Sequence, residues 1–187
     1  MALQDRVRKL TYDDYVLIPD DGKRHEILDG EHHVSPSPSP FHQRLVARLF
    51  RWLDGFVFPR GLGEILFAPL DVVLSWNDVV QPDLLYISRE RAEISTEKNI
   101  QGAPDLVVEV LSERTRHLDE GTKLRRYDQL GVEEYWIVNG FQRTVTVCRR
   151  IDGDFRRLPE LSAAAGDILT PPLLPGLAIP LAELFAA

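Results

Sequence analysis

The stretch Pro104-Asp105-Leu106-Val107-Val108-Glu109-Val110-Leu111-Ser112 constrains this chain more than any other, because it sets a carboxylate in the middle of an apolar strand. Side chains alternate between the two faces of a strand. Val107, Glu109 and Leu111 therefore share one face while Leu106, Val108 and Val110 share the other, and both faces are otherwise greasy. Burying an unpaired ionised carboxylate costs on the order of several kcal/mol. Glu109 thus demands a metal ion, a lysine or a proton. Residues 79–87 repeat the arrangement around Asp83, and residues 119–130 read as a helix that carries Lys123. Asp, Glu and Lys on strand, strand and helix point to a metal-dependent site.

A chain of 187 residues suits one domain with a sizeable core. Hydrophobic residues at 44% and charged residues at 27% are the balance of a soluble folded protein. No apolar run approaches the roughly 20 residues of a transmembrane helix. The start Met1-Ala2-Leu3-Gln4-Asp5 has no signal-peptide core, so the expectation is a cytoplasmic protein with no membrane partner. The lone Cys148 excludes an intrachain disulfide framework and a cysteine-rich zinc site, and reads as strand packing. A formal net charge of −7 argues against a broad nucleic-acid-binding surface but leaves room for a local groove. Arg114, Arg116, Lys123, Arg125 and Arg126 crowd next to the candidate site.

Thr11 heads a short capped helix that ends at the Pro19-Asp20-Asp21-Gly22 cluster. Residues 24–28 and 31–34 flank Asp29-Gly30, a pair that favours a type I′ hairpin. Pairing Leu28 with Glu31 and Glu26 with His33 puts all four on one side, a second acidic patch. Ser35-Pro36-Ser37-Pro38-Ser39-Pro40 must be an extended connector. A helix follows from near Phe41, with Leu45, Val46, Leu49, Phe50 and Leu53 inward, His42 on the same stripe, and Gly55 as its stop. Strands are expected at 63–68, 70–75 and 80–87, then at 134–138 and 144–150. The Pro-, Leu- and Ala-rich residues 157–187 read as a surface extension ending in a short helix.

Magnesium takes one or two carboxylates plus water and substrate phosphate. Asp105 lies four residues before Glu109 on the same strand, roughly 13 Å away, too far to share an ion. Asp83 on an adjacent strand can lie opposite Glu109, so Asp83 and Glu109 are the expected metal ligands. Lys123 would orient water or balance charge developing on phosphate, on a helix face shared with Tyr127 and Leu130. Glu26, Glu31, His42 and Gln81 stand as supporting residues.

Taken in order, the series Arg24-His25-Glu26-Ile27-Leu28-Asp29-Gly30-Glu31, His42, Val80-Gln81-Pro82-Asp83, the Glu109 strand, Lys123 and Tyr135-Trp136-Ile137-Val138 resembles the Uma2 family, formerly DUF820. The resemblance covers roughly residues 10–150. It implies an α/β (α+β) protein with a PD-(D/E)XK, restriction-endonuclease-like core, a mixed sheet flanked by helices, and an N-terminal hairpin. It also implies a metal-dependent nuclease site carried by Asp83, Glu109 and Lys123. The superfamily pattern has a lysine two residues after the glutamate, where this chain has Leu111; Lys123 on the following helix takes its place. Asn139 stands where relatives often carry aspartate.

The leading expectation is a single-domain DNA endonuclease dependent on Mg2+ or Mn2+, acting as a homodimer, with the hairpin at 24–34, the core at 41–150 and the extension at 157–187. The alternative is a catalytically silent scaffold of the same fold that binds nucleic acid or a protein partner. A small-molecule hydrolase is a third.

Overall fold

Asp29 and Gly30 adopt φ of 50° and 79°, the two positive values that a type I′ turn requires. They close a hairpin of β1 (Arg24–Leu28) on β2 (Glu31–Ser35) in the expected register, Leu28 opposite Glu31 and Glu26 opposite His33. The structure is a computed structural model that describes residues 8–186; the N-terminal stretch read for targeting lies outside the described residues. Before the hairpin comes the short helix α1 (Tyr12–Tyr15), closed by a capping box between Thr11 and Asp14.

The proline-serine connector delivers the chain to α2 (Pro40–Val57), with Ser39 as its N-cap and proline in the first turn. Gly55 does not stop this helix. It lies within the last turn, and the chain turns only after a short 3-10 segment, at Gly61 with φ of 58°. The inward stripe holds, because His42, Leu45, Leu49, Leu53 and Val57 are all buried.

Strands β3 (Gly63–Phe67), β4 (Val72–Ser75), β5 (Asp78–Val80), β6 (Leu84–Ser88), β7 (Ile100–Gln101) and β8 (Leu106–Val110) follow. The apolar run expected as one strand at 80–87 is two. β5 belongs to a five-stranded sheet ordered β2-β1-β5-β4-β7, and β6 belongs to a seven-stranded sheet. Gln81-Pro82-Asp83 crosses between them, and Pro82 is the physical reason, since it has no N–H to give a central ladder.

After β8 a π-helical turn (Leu118–Lys123) runs into α3 (Leu124–Gln129) where one α-helix was expected. The chain then enters β9 (Glu134–Asn139), parallel to β8, and returns antiparallel through β10 (Thr144–Ile151) and β11 (Asp154–Arg157). The large sheet runs β11-β10-β9-β8-β6-β3, with β12 (Leu161–Ser162) on β10. The mixed sheets with flanking helices match the fold class expected from the sequence.

The alternation of β8 decides what each face does. Leu106, Val108 and Val110 pack with α2 in one core cluster, while Val107 and Leu111 pack with Val72, Val80 and Tyr127 in the other. Glu109 points into the second layer, between the large sheet, the small sheet and α3. The C-terminal segment, with β13 (Ile168–Leu169), β14 (Ile179–Pro180) and α4 (Leu181–Leu184), does more than wrap the surface: Leu169, Leu174, Leu177, Ile179, Leu181 and Leu184 are buried in the α2 cluster. Cys148 is free and buried in β10. Asn139 caps the β9–β10 turn, its Oδ1 accepting from the N–H groups of Phe141 and Gln142, each at 3.1 Å.

Candidate metal-carboxylate site

β6 and β8 pair antiparallel with Leu84 opposite Val108, so the next step along that register sets Asp83 beside Glu109 on the same face. Both side chains are buried, at 4% and 2% exposure. The π-turn brings Lys123, 3% exposed, under the same face. Its Nζ donates to Glu109 Oε1 at 2.8 Å and stands 2.9 Å from Glu26 Oε1. Tyr127, one turn along, donates its hydroxyl to Glu109 Oε1 at 3.1 Å. Lys123 is thus fully enclosed among carboxylates rather than snorkelling to water.

Asp83 is held separately. Arg24 on β1 reaches its Oδ1 with both terminal nitrogens at 3.1 Å and also donates to the carbonyl of Gln81. Asp83 Oδ2 accepts from the Val110 N–H at 2.8 Å. His42 Nε2 stands 3.1 Å from Asp83 Oδ2 and 3.0 Å from the Val110 carbonyl, so that nitrogen carries a proton donated between them. Burial alone would raise Asp83, but the His42 hydrogen bond, the Arg24 and His42 charges and the Val110 N–H outweigh it and hold the carboxyl below its usual range. Burial works against the charged imidazole of His42, yet the Asp83 contact raises it.

Glu109 moves the other way. Burial pushes it up; Lys123 pulls it back, but Asp83 and Asp119 push it up again, and the result lies well above an ordinary glutamate. Asp119, one helical turn before Lys123 and 3.6 Å from it, is also raised, chiefly by burial. Burial lowers Lys123, and Glu109, Glu26 and Asp119 together lift it well above its usual value. The two upward shifts agree on one physical point: this corner carries more negative charge than its cations balance. Glu26, Asp83, Glu109 and Asp119 face the permanent cations Arg24 and Lys123, four carboxylates against two fixed positive charges, with His42 beside Asp83 as a third, titratable partner. Protons relieve the excess when no other cation does.

The site opens to solvent through a cavity of about 400 Å³ lined by Arg24, His42, Asp83, Glu109, Asp119 and Lys123 and by the Ser35–Ser39 connector. Of the expected supporting residues, Glu26 and His42 are drawn in. Gln81 lies beside the site, its N–H donating to Glu26 Oε1 at 2.8 Å and its side chain to Asp71 and the Tyr15 hydroxyl. Glu31 is exposed on β2 and lines no part of the cavity. Arg24 and Asp119 had no role assigned from the sequence. The available signal for Asp119 was its i,i+4 spacing to Lys123; Arg24 sits two residues before Glu26 and shares its strand face.

The donor set fits a divalent hard cation in charge and in chemistry. Two carboxylates plus water is a usual magnesium shell, and Asp119 Oδ1 is buried without a hydrogen-bond donor. Among the described residues no group of three or more His, Cys, Asp or Glu side chains is placed to hold a metal ion, so protein ligands would number two, with water completing the shell. Among those residues, too, no helix is long and apolar enough to cross a membrane.

Similarity to known proteins bears on this arrangement. No curated protein matches the chain. The fold is similar to that in a crystal structure of "a putative nuclease belonging to DUF820" from Anabaena variabilis ATCC 29413, with a TM-score of 0.80 and 17% sequence identity, covering 95% of this chain and 98% of that one. At that identity the likeness is one of fold. The Uma2 family model, described as "Putative restriction endonuclease", matches residues 12–182, so the chain belongs to the Uma2 family.

Proposed function

We propose that this chain is a divalent-metal-dependent endonuclease that hydrolyses phosphodiester bonds in DNA. The observation that carries the reading is the gathering of Asp83, Glu109 and Asp119 with Arg24 and Lys123 at one solvent-open cavity, with buried Glu26 behind Lys123 adding a fourth carboxylate. Asp83 and Glu109 would hold Mg2+ or Mn2+, which when bound polarises a phosphate oxygen and lowers the pKa of a water. The protein's own groups do the rest. Lys123 is fixed by Glu109 and Glu26 with its charge beside the site, where it can offset negative charge developing on phosphate. Arg24 and the Val110 N–H lock the Asp83 carboxylate in one orientation. His42 Nε2, set between the Asp83 carboxylate and the Val110 carbonyl, holds Asp83 from the α2 side.

Cleaving both strands of a duplex takes two such sites, which a homodimer would supply; nicking one strand takes a single site. The silent-scaffold alternative draws on the same contacts, because Asp83 and Glu109 are already engaged by Arg24 and Lys123. Supercoiled plasmid with Mg2+ or Mn2+ separates the two. Wild type should nick or linearise it, EDTA should stop the reaction, and Asp83→Asn and Glu109→Gln should each lower the rate at least about 100-fold while melting as folded proteins. A wild type inert on plasmid and on single-stranded DNA alike, or variants that cut as well as wild type, would put the scaffold ahead.

A further inference from the structure

The cavity at the site is one part of a longer trench. Toward the hairpin it shares Ser35, Pro36, Ser37, Arg114 and Thr115 with a neighbouring hollow that adds Lys23, His33 and His117. In the other direction it shares Phe41 and Phe141 with a hollow bearing Arg44, Arg48 and Arg143. That hollow in turn shares Arg48 and Ala186 with a third, lined by Arg51, Trp52, Phe56 and Arg60. Among the described residues lining these three flanking hollows, Glu183 is the only acid. On a chain of net charge −7, an acidic centre with a basic flank along α2, and with Arg114 on the hairpin side where Lys23 is already paired with Asp21 at 2.6 Å, is a strong segregation of charge.

The arginines of α2 are not there to hold carboxylates. Arg44, Arg48 and Arg51 fall on one helix face, the first and last about 10 Å apart along the axis. Among the described residues, neither these nor Arg60 and Arg143 join an ion pair, whereas Arg91, Arg116, Arg126, Arg149 and Arg150 all do. The hydrogen bonds they make go to carbonyls: Arg48 to Ala186, Arg143 to Phe185, Arg60 to Phe56. These bonds orient the guanidinium groups of Arg48, Arg60 and Arg143 with no carboxylate among the described residues to neutralise them. Between this ridge and the site stand Phe41 and Phe141, exposed at 43% and 68%, their ring centroids 5.4 Å apart.

We propose that the trench seats one unpaired strand of nucleic acid running through the site, its phosphates on the α2 arginines and a base stacked on the Phe41–Phe141 pair. This rests on the nuclease reading and adds the form of the substrate to it. Phosphate affinity comes from unneutralised Lys and Arg, and exposed aromatic faces take bases only when those bases are unpaired. Hollows that continue on both sides of the site accept an internal stretch of strand, which is what an endonuclease needs.

The test is binding in EDTA, where no cleavage occurs. The probe is a labelled oligothymidylate of roughly 20 nucleotides, longer than the ~4–16-nucleotide footprint of compact single-strand binders, compared with a duplex of equal length. Wild type should prefer the single strand. Arg44→Ala with Arg51→Ala should weaken it about tenfold or more and reduce the salt slope by ~1.4, two single-strand phosphate contacts. Phe141→Ala should cost severalfold on the single strand and little on the duplex, and the exposed Lys98→Ala, off the trench, should change neither. Equal binding by the arginine variant, duplex preference, no binding, or a dimer that only the arginine variant disrupts would each overturn the proposal. Trench-dependent binding without any cleavage would leave the proposal standing and remove the nuclease reading. Cleavage that the arginine variant leaves untouched would do the reverse.

Discussion

Glu109 and Lys123 are a buried pair whose members answer differently to removal. Lys123 faces Glu109, Glu26 and Asp119, so Lys123→Ala leaves buried carboxylates without a cation and should cost ~3–5 kcal/mol, read as a fall in urea midpoint. Glu109→Gln keeps the shape of the protonated acid and should stay within about 1 kcal/mol of wild type in EDTA. Loss of activity in Lys123→Ala therefore reports folding as much as chemistry, and the glutamine variant is the cleaner probe. The upward displacement of Glu109 by burial, Asp83 and Asp119 also fixes a sign with pH. Its folded form holds a proton longer than the unfolded chain does, so its contribution to stability is present below the unfolded value of about 4.3 and is lost as pH rises through the folded value. A divalent cation takes over the proton's role. In denaturant melts at pH 8, Mg2+ should stabilise wild type more than at pH 5, and Glu109→Gln should lose both the alkaline decline and most of that gain. Equal Mg2+ effects on wild type and Glu109→Gln would remove Glu109 as a ligand.

Among the elements, a single aspartate ties three together. Asp78 at the start of β5 is fully buried; it accepts from the Asp29 N–H in the hairpin turn at 2.8 Å, from Arg126 of α3 at 2.7 and 2.5 Å, and from the Ser75 hydroxyl at 2.6 Å. Asp78→Ala should cost ~3–5 kcal/mol and loosen the hairpin that presents Arg24 and Glu26. Burial opposes its charge, but Arg126, Ser75 and Asp29 win and lower the carboxyl. The stabilisation is therefore complete above the unfolded value of about 3.9 and lost as pH falls through the folded value. Asp78→Asn should flatten the acid side of a stability profile between pH 5 and 3, and a profile as steep as wild type would show that the tie contributes nothing. Nothing in the sequence announced this role, since an acid before Val79-Val80 looks like turn surface until β5 is placed against both β1 and α3. The hairpin was legible because Asp29-Gly30 leaves one register open, and α2 because its apolar period is unbroken. The division of 79–87 between two sheets was not, since an apolar run reads alike whether it pairs once or changes partners; Pro82 was the one local mark of the break.

For the molecule as a whole, the large sheet is covered on one face by the small sheet and α3, which complete the acidic site, and on the other by α2 with the C-terminal segment. That segment escaped a sequence reading because its leucines follow no helical or strand period: prolines at 171, 172, 175 and 180 interrupt it, and burial comes from a meandering path. Yet Leu174, Leu181 and Leu184 are fully enclosed against α2 and the sheet. A covering strap would lose under about 1 kcal/mol on truncating one such leucine, whereas a core residue loses ~2–5 kcal/mol. Leu174→Ala should fall in the second range, and at ~2–4 °C per kcal/mol for a chain of this size its melting temperature should drop by about 4–20 °C. The effect should reach function, because α2 carries His42 to Asp83 on its buried face and the arginine ridge on its outer one. Cleavage by Leu174→Ala should match wild type well below its own melting temperature and fail at temperatures where wild type still cuts. A variant that melts with wild type would return the segment to the surface.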